Sequence, residues 1–266
     1  MKRTKRAALI ALLMALGAPT ALPATAADGG VRRDQLPNLV PHAVSDISIG
    51  TIDEGPAPAI RFDASIENSG DYAFELVGRP EGYLGGNDTS AEQCVAWAGP
   101  RACSARRSVG TLTYHAAHGH YHFDDFALYE LRRFKKNGQP NMRPKGLVVK
   151  SDKVSFCLQD VQRGEGAGAA YAAPWPLYYA CLAGMGVQGI SPGWIDIYGP
   201  RLTGQQIPLA GVPDGTYALV IHTDPGRRVF ETDDTDNVSV TGIELSDTGK
   251  KVEIVCRSAP GSITCR

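Results

Sequence analysis

The octapeptide Ala59-Ile60-Arg61-Phe62-Asp63-Ala64-Ser65-Ile66 alternates apolar and polar side chains. Successive side chains on a β-strand point to opposite faces, so Ile60, Phe62, Ala64 and Ile66 share one face. That is the pattern of a half-buried strand. Asn68-Ser69-Gly70-Asp71 then reads as a turn. Tyr217-Ala218-Leu219-Val220-Ile221-His222 is a second strand, launched by the turn Pro213-Asp214-Gly215. Asn237 to Leu245 and Lys251 to Cys256 continue the pattern. Tyr129 to Phe134 predicts another strand, its apolar positions packed and its charges wet. With 30 glycines and 18 prolines, long helices are disfavoured. The predicted fold is mainly β: an antiparallel β-sandwich core with long irregular loops and few short helices. Gly164 to Ala170 reads as a flexible loop, and no internal repeat is visible.

The first residues read as a leader rather than as part of that fold. Lys2, Arg3, Lys5 and Arg6 precede an apolar stretch from Ala7 to about Leu22, then the small-x-small pattern Ala24-Thr25-Ala26. This predicts a signal peptide over residues 1–26 and a secreted or periplasmic chain with no membrane anchor once it is cleaved. Cleavage removes four basic residues and no acidic ones, taking the formal charge from −1 to −5. Nucleic-acid-binding proteins are usually basic, so that class is excluded. The remaining 27–266 suit a single large domain or two small ones. Six cysteines in an exported chain suggest up to three disulfides. Sequence permits fifteen pairings, and local spacing favours Cys94–Cys103, Cys157–Cys181 and Cys256–Cys265. No C-x-x-C spacing supports a zinc site instead.

Three of the chain's six histidines fall in His118-Gly119-His120-Tyr121-His122. Alternation on a strand aims all three imidazoles one way, and neutral imidazole is the commonest protein ligand for copper, zinc and iron. The alternative is a solvated polar face. Same-face residues lie about 6.6 Å apart along a strand, so three ligands reach one ion only if the segment bends. Three imidazoles with an open position also suit zinc hydrolysis.

The longer segment Tyr114 to Phe126 resembles the copper-binding segment of the lysyl oxidase family. Further matches follow in the same order. Lys153-Val154-Ser155-Phe156-Cys157-Leu158-Gln159-Asp160 resembles the segment with the family's cofactor lysine, and Gly189 to Gly199 the segment with its cofactor tyrosine. Pro213 to Tyr217, Glu231 to Asn237 and, upstream, Leu36 to Pro41 also match. The resemblance runs from about Leu36 to Leu245. It implies a catalytic domain over 27–266 with His118, His120 and His122 as copper ligands. It also implies that Lys153 and Tyr198 are cross-linked by copper and dioxygen into lysine tyrosylquinone. The implied activity is oxidative deamination of a primary amine, either peptidyl lysine or a small amine. The amine, dioxygen and water would give an aldehyde, hydrogen peroxide and ammonia. The implied rival is a metal-binding or interaction module of the same fold in which no cofactor forms.

Asp196 precedes Tyr198 by two residues and shares its face if the stretch is extended, which makes it a candidate base for removing the substrate's α-proton. The alternative is a turn or strand-edge aspartate. His115 is a second candidate, or a group that holds a ligand imidazole; Asp124 and Asp125 are placed to orient ligand rings as well. His42 and His222 read as structural or surface residues. Glu231, Asp233, Asp236 and Asn237 put four oxygen-bearing side chains within seven residues, which suits calcium or an acidic turn. The resemblance adds Asn38 and the Leu39 carbonyl to that cluster. The chain departs from animal members at Ala117, where they carry cysteine. It also lacks the usual partners of Cys157 and Cys181, which leaves these two to pair with each other. No propeptide or scavenger-receptor region is recognisable.

Overall fold

The computed structural model describes residues 30–79, 84, 86–99, 101–116, 119–152, 154–165, 173–181 and 186–265. The predicted leader, His118, Lys153 and most of the glycine-rich run at 164–170 lie outside the described residues.

Three antiparallel sheets hold the described strands. The ten-stranded sheet runs Val187–Ile190, Phe74–Gly78, Thr89–Gly99, Ala102–His115, His120–Arg132, Gly215–Thr223, Val238–Ser246 and Lys251–Arg257. Short strands Leu147–Lys150 and Val154–Phe156 also pair with His120–Arg132. A four-stranded sheet joins Leu39–Pro41, Ala64–Asn68, Trp194–Tyr198 and Gln162–Arg163, and a three-stranded one joins Gln206–Pro208, Pro58–Phe62 and Ile47–Thr51. The small sheets share one apolar core with the large sheet. Phe62 meets Tyr129 edge-on at 4.8 Å across it, and Phe156 stacks on Tyr198 at 4.0 Å. Helix is confined, among the described residues, to two three-residue 3-10 turns, Arg33–Gln35 and Pro144–Gly146. No described helix is long and apolar enough to cross a membrane.

The alternating octapeptide places Ile60, Phe62, Ala64 and Ile66 in the core, each 0% exposed. It is nevertheless two strands, broken at Asp63. The buried Asp63 carboxylate accepts the backbone N–H groups of Ser45 and Asp46, both at 2.8 Å, and the Ser45 hydroxyl at 2.6 Å. A buried carboxylate must find donors, and these lie where the chain bends. The bend moves the chain from the three-stranded to the four-stranded sheet, the way sandwich corners are commonly made. The other predicted strands appear as Gly215–Thr223, Val238–Ser246 and Lys251–Arg257, and Tyr129 to Arg132 extends the histidine strand. The disulfides are Cys94–Cys103, Cys157–Cys181 and Cys256–Cys265.

Candidate metal and cofactor site

Of the histidine run, Gly119 lies in a hairpin turn, and His120 and His122 lie on the strand that leaves it. Ala102–His115 pairs with His120–Arg132 so that His115 faces His120 and Thr113 faces His122. Gly119 sits in the turn at φ +70° and donates its N–H to the His115 carbonyl at 2.8 Å; glycine takes that backbone conformation without a Cβ clash. The turn brings His115 opposite His120. His120 and His122 alternate onto one face, with their Nε2 atoms 2.8 Å apart. The His115 ring stacks on His122 with centroids 4.1 Å apart. Imidazole binds copper or zinc at roughly 2 Å, so two nitrogens this close fit a single shared ion. His118 lies outside the described residues.

Asp124 does not hold a histidine through its described bonds. Its carboxylate accepts the hydroxyls of Thr113 at 2.6 Å and Ser155 at 3.2 Å. It thereby ties the histidine hairpin to the strand that begins one residue after Lys153, and burial pushes its pKa up. Asp125 lies 4.0 Å from Arg228.

Asp196 and Tyr198 share a face of Trp194–Tyr198, and both are buried. The Tyr198 hydroxyl accepts the backbone N–H of Cys157, and its ring covers Phe156. Tyr198 therefore lies against the segment containing Lys153, whose own side chain lies outside the described residues. Burial raises the Tyr198 pKa, with the neighbouring Asp196 adding to the shift and the Cys157 N–H opposing it. Asp196 is 0% exposed, and neither of its carboxyl oxygens has a hydrogen-bond partner. Burial drives its pKa well up, with the nearby Asp160 adding to the shift and the backbone N–H groups of Ile197 and Gln159 opposing it. The histidines connect to this pocket through one disulfide. Tyr121, between His120 and His122, donates its N–H to the Cys181 carbonyl at 2.9 Å, and Cys181 is bonded to Cys157.

The acidic loop is hydrogen-bonded to the N-terminal segment. Glu231 accepts the Leu39 N–H at 3.0 Å and the Asn237 side-chain amide at 2.5 Å. Asn38 donates to Asp236 at 2.9 Å and accepts the Asp233 N–H at 3.0 Å. Asp233 also accepts the N–H and hydroxyl of Thr235. Asp236 Oδ1 and Asn237 Oδ1 are buried with no donor, and burial pushes Glu231 up to about 8. Oxygen atoms of this kind could serve as ligands to a hard cation. Elsewhere, Glu75 lies near Cys94 and Cys103, but disulfide sulfurs have no thiolate to offer a metal.

Comparison with known proteins bears on this geometry directly. The sequence profile of the lysyl oxidase family matches residues 93–256, most of the chain and all of the histidine and tyrosine segments. The chain belongs to the lysyl oxidase family. It is 34% identical over 126 residues to protein-lysine 6-oxidase from Homo sapiens, covering 47% of this chain and 26% of that protein. It is 34% identical over 125 residues to lysyl oxidase homolog 3B from Danio rerio, covering 47% of this chain and 13% of that one. Human lysyl oxidase homolog 1 is 32% identical over 148 residues, covering 53% and 23%. The chain thus matches about a quarter or less of the length of these lysyl oxidase relatives.

Sequence reasoning missed two residues around the loop that follows Tyr198. Arg61 reads as a wet strand residue, yet its guanidinium is bonded to the loop after Tyr198. Gln205, 0% exposed, meets the Tyr129 hydroxyl at 2.9 Å. Alternation marks Arg61 only as outward-facing, and backbone-carbonyl acceptors leave no trace in sequence. His42, which with His222 the sequence leaves as structural or surface, pairs with Glu67, and His222 pairs with Glu130, each at 2.8 Å.

Proposed function

We propose that this chain is an exported, copper- and lysine tyrosylquinone-dependent amine oxidase, with residues 27–266 as one catalytic domain behind a cleaved leader. The observation that carries this reading is the convergence of the His120 and His122 Nε2 atoms in a motif order shared with the lysyl oxidases. His118, His120 and His122 would hold copper, and His115, stacked on His122, fixes that ring's orientation. Lys153 and Tyr198 are the parents of the quinone, which when formed supplies an electron sink for oxidising the amine carbon. Overall, a primary amine, dioxygen and water yield an aldehyde, ammonia and hydrogen peroxide.

The chain's own residues account for the rest. Asp196 has no competing hydrogen bond, and its raised pKa makes its carboxylate a stronger base than a surface aspartate when it accepts the substrate's α-proton. Phe156 stacked on Tyr198 keeps water from one face of the ring. The Cys157 N–H fixes the phenol oxygen. The name of the human relative points to peptidyl lysine as substrate, and the −5 charge of residues 27–266 favours cationic amines in general. The oxygen cluster of Glu231, Asp233, Asp236, Asn237, Asn38 and the Leu39 carbonyl would hold calcium and tie the first strand to the last ones.

The test is phenylhydrazine titration of the copper-loaded protein with mass mapping of the labelled peptides. A coloured adduct on peptides joined through Lys153 and Tyr198 is expected, absent in Lys153→Ala, with copper retained. His120→Ala should lose metal and adduct together. Full copper occupancy with separate Lys153 and Tyr198 peptides overturns the reading and leaves a non-catalytic metal-binding module.

A further inference from the structure

Beyond Tyr198 the chain makes a tight excursion, Gly199 to Gln205, and returns as Gln206–Pro208 beside Pro58–Phe62. Arg61 spans this excursion. Its Nε donates to the Pro200 carbonyl and one terminal nitrogen to the Leu202 carbonyl, both at 2.7 Å. The other reaches Asp53 at 2.7 Å, Gln206 at 3.0 Å and the Thr51 carbonyl at 3.2 Å. Asp53 completes the ring by accepting the Gly204 N–H at 2.8 Å. The planar guanidinium makes this network specific, because five donors in a rigid fork fix several acceptors at once.

The far side of the same loop packs on the residue that follows Lys153. Gly204 adopts φ +82°, and a Cβ there would come within 3.0 Å of Val154 Cγ1. Val154 directly follows Lys153. One loop therefore begins at Tyr198 and ends packed on the neighbour of Lys153, with Arg61 and Asp53 holding its middle.

We infer that Arg61, braced by Asp53, is a positioning residue that sets the approach of the Lys153 segment to Tyr198 and so governs cofactor cross-linking. This rests on the oxidase reading above. Geometry is a sound reason to expect a large effect: misplacing reacting groups by about 1 Å can cost roughly a hundredfold in rate.

The experiment uses the full exported chain, loaded with copper in air. It follows the joined Lys153–Tyr198 peptide by mass over time, together with hydrogen–deuterium exchange of peptides covering Gly199–Gln206 and Val154–Phe156. Arg61→Ala should slow cross-linking at least about tenfold at unchanged copper content, with both peptides losing exchange protection together. Arg61→Lys, keeping the charge but not the fork, should recover part of the rate. If Arg61→Ala does not fold, Arg61→Lys and Asp53→Asn carry both readouts. Cross-linking at the parent rate, or unchanged exchange in both peptides, overturns the inference. If the parent itself never cross-links, the oxidase reading falls, and the exchange result alone decides whether Arg61 couples the two segments.

Discussion

Removing the Cys157–Cys181 disulfide should cost stability and copper affinity together. The two cysteines are 24 residues apart. Loop-closure entropy for that separation gives about 3.4 kcal/mol at 25 °C, against about 2.6 kcal/mol for a 9-residue closure. Cys256–Cys265 has that shorter separation and serves as control. For a chain of this size, 3.4 kcal/mol lowers Tm by roughly 7–14 °C. The control differs in a second respect. Cys181 accepts the Tyr121 N–H between two of the proposed copper ligands, and the Cys157 N–H holds the Tyr198 hydroxyl; no described bond links Cys256 or Cys265 to the histidine hairpin. The assay is urea and thermal unfolding of the paired alanine variants, with copper affinity by competition against a chromophoric chelator. The Cys157→Ala/Cys181→Ala protein should lose more stability than the Cys256→Ala/Cys265→Ala protein and alone should bind copper more weakly. A smaller stability loss than in the control refutes the closure argument, and unaltered copper affinity refutes the coupling between disulfide and histidine strand.

Asp196→Asn should preserve the fold and copper while lowering kcat by about 10²- to 10⁴-fold, the usual share of a positioned general base. Because burial raises Asp196, the parent's rate should climb with pH above the ordinary carboxylate range, and a variant keeping that ascending limb would contradict the assignment. Burial pushes Glu130 up, but its bonds from His222 and Arg132 outweigh this and hold it at about 2, below its ordinary 4.5. A depressed carboxylate pKa contributes stability above the unfolded value that is lost as pH falls through the folded one, here up to about 3 kcal/mol. Thermal melts between about pH 5 and pH 2 should therefore flatten in Glu130→Gln, and an unchanged acid limb would count against the triad. Calcium should raise the Tm of chelator-treated, copper-free protein. Its apparent affinity should grow with pH up to about 8, since binding must displace the Glu231 proton. Equal affinity by calorimetry at pH 6 and pH 8 would exclude Glu231 as a ligand.

Strand identity was readable because alternation is a local property. Ile60, Phe62, Ala64 and Ile66 declare a buried face, and Tyr217 to His222 does the same. The break at Asp63 was not readable, because a polar residue at that position fits an outward-facing strand residue as well as a bend; only the donors at Ser45 and Asp46 distinguish the two. The metal site was half readable. Alternation puts His120 and His122 together, but the His115–His120 pairing depends on a turn at Gly119 that the spacing only required in general terms. Asp124, a plausible partner for an imidazole by position, goes to two hydroxyls from strands far apart in sequence. The loop after Tyr198 illustrates the limit most clearly. Its acceptors are the carbonyls of Pro200 and Leu202, and any residue would present those.

The bond between Asn38 and Asp236 joins positions 198 residues apart, whereas Asn38 also bonds to Asn68 across 30. Closing the longer loop costs only about 1.7 kcal/mol more in chain entropy than closing the shorter. On chain entropy alone, docking of the first strand on Ala64–Asn68 is expected to precede closure of the acidic loop onto it. The Glu231–Asn237 cluster is then a late clasp, and a cation bound there would be expected to slow its reopening. Depleting that cation should leave refolding rates nearly untouched while shortening the lifetime of the native state.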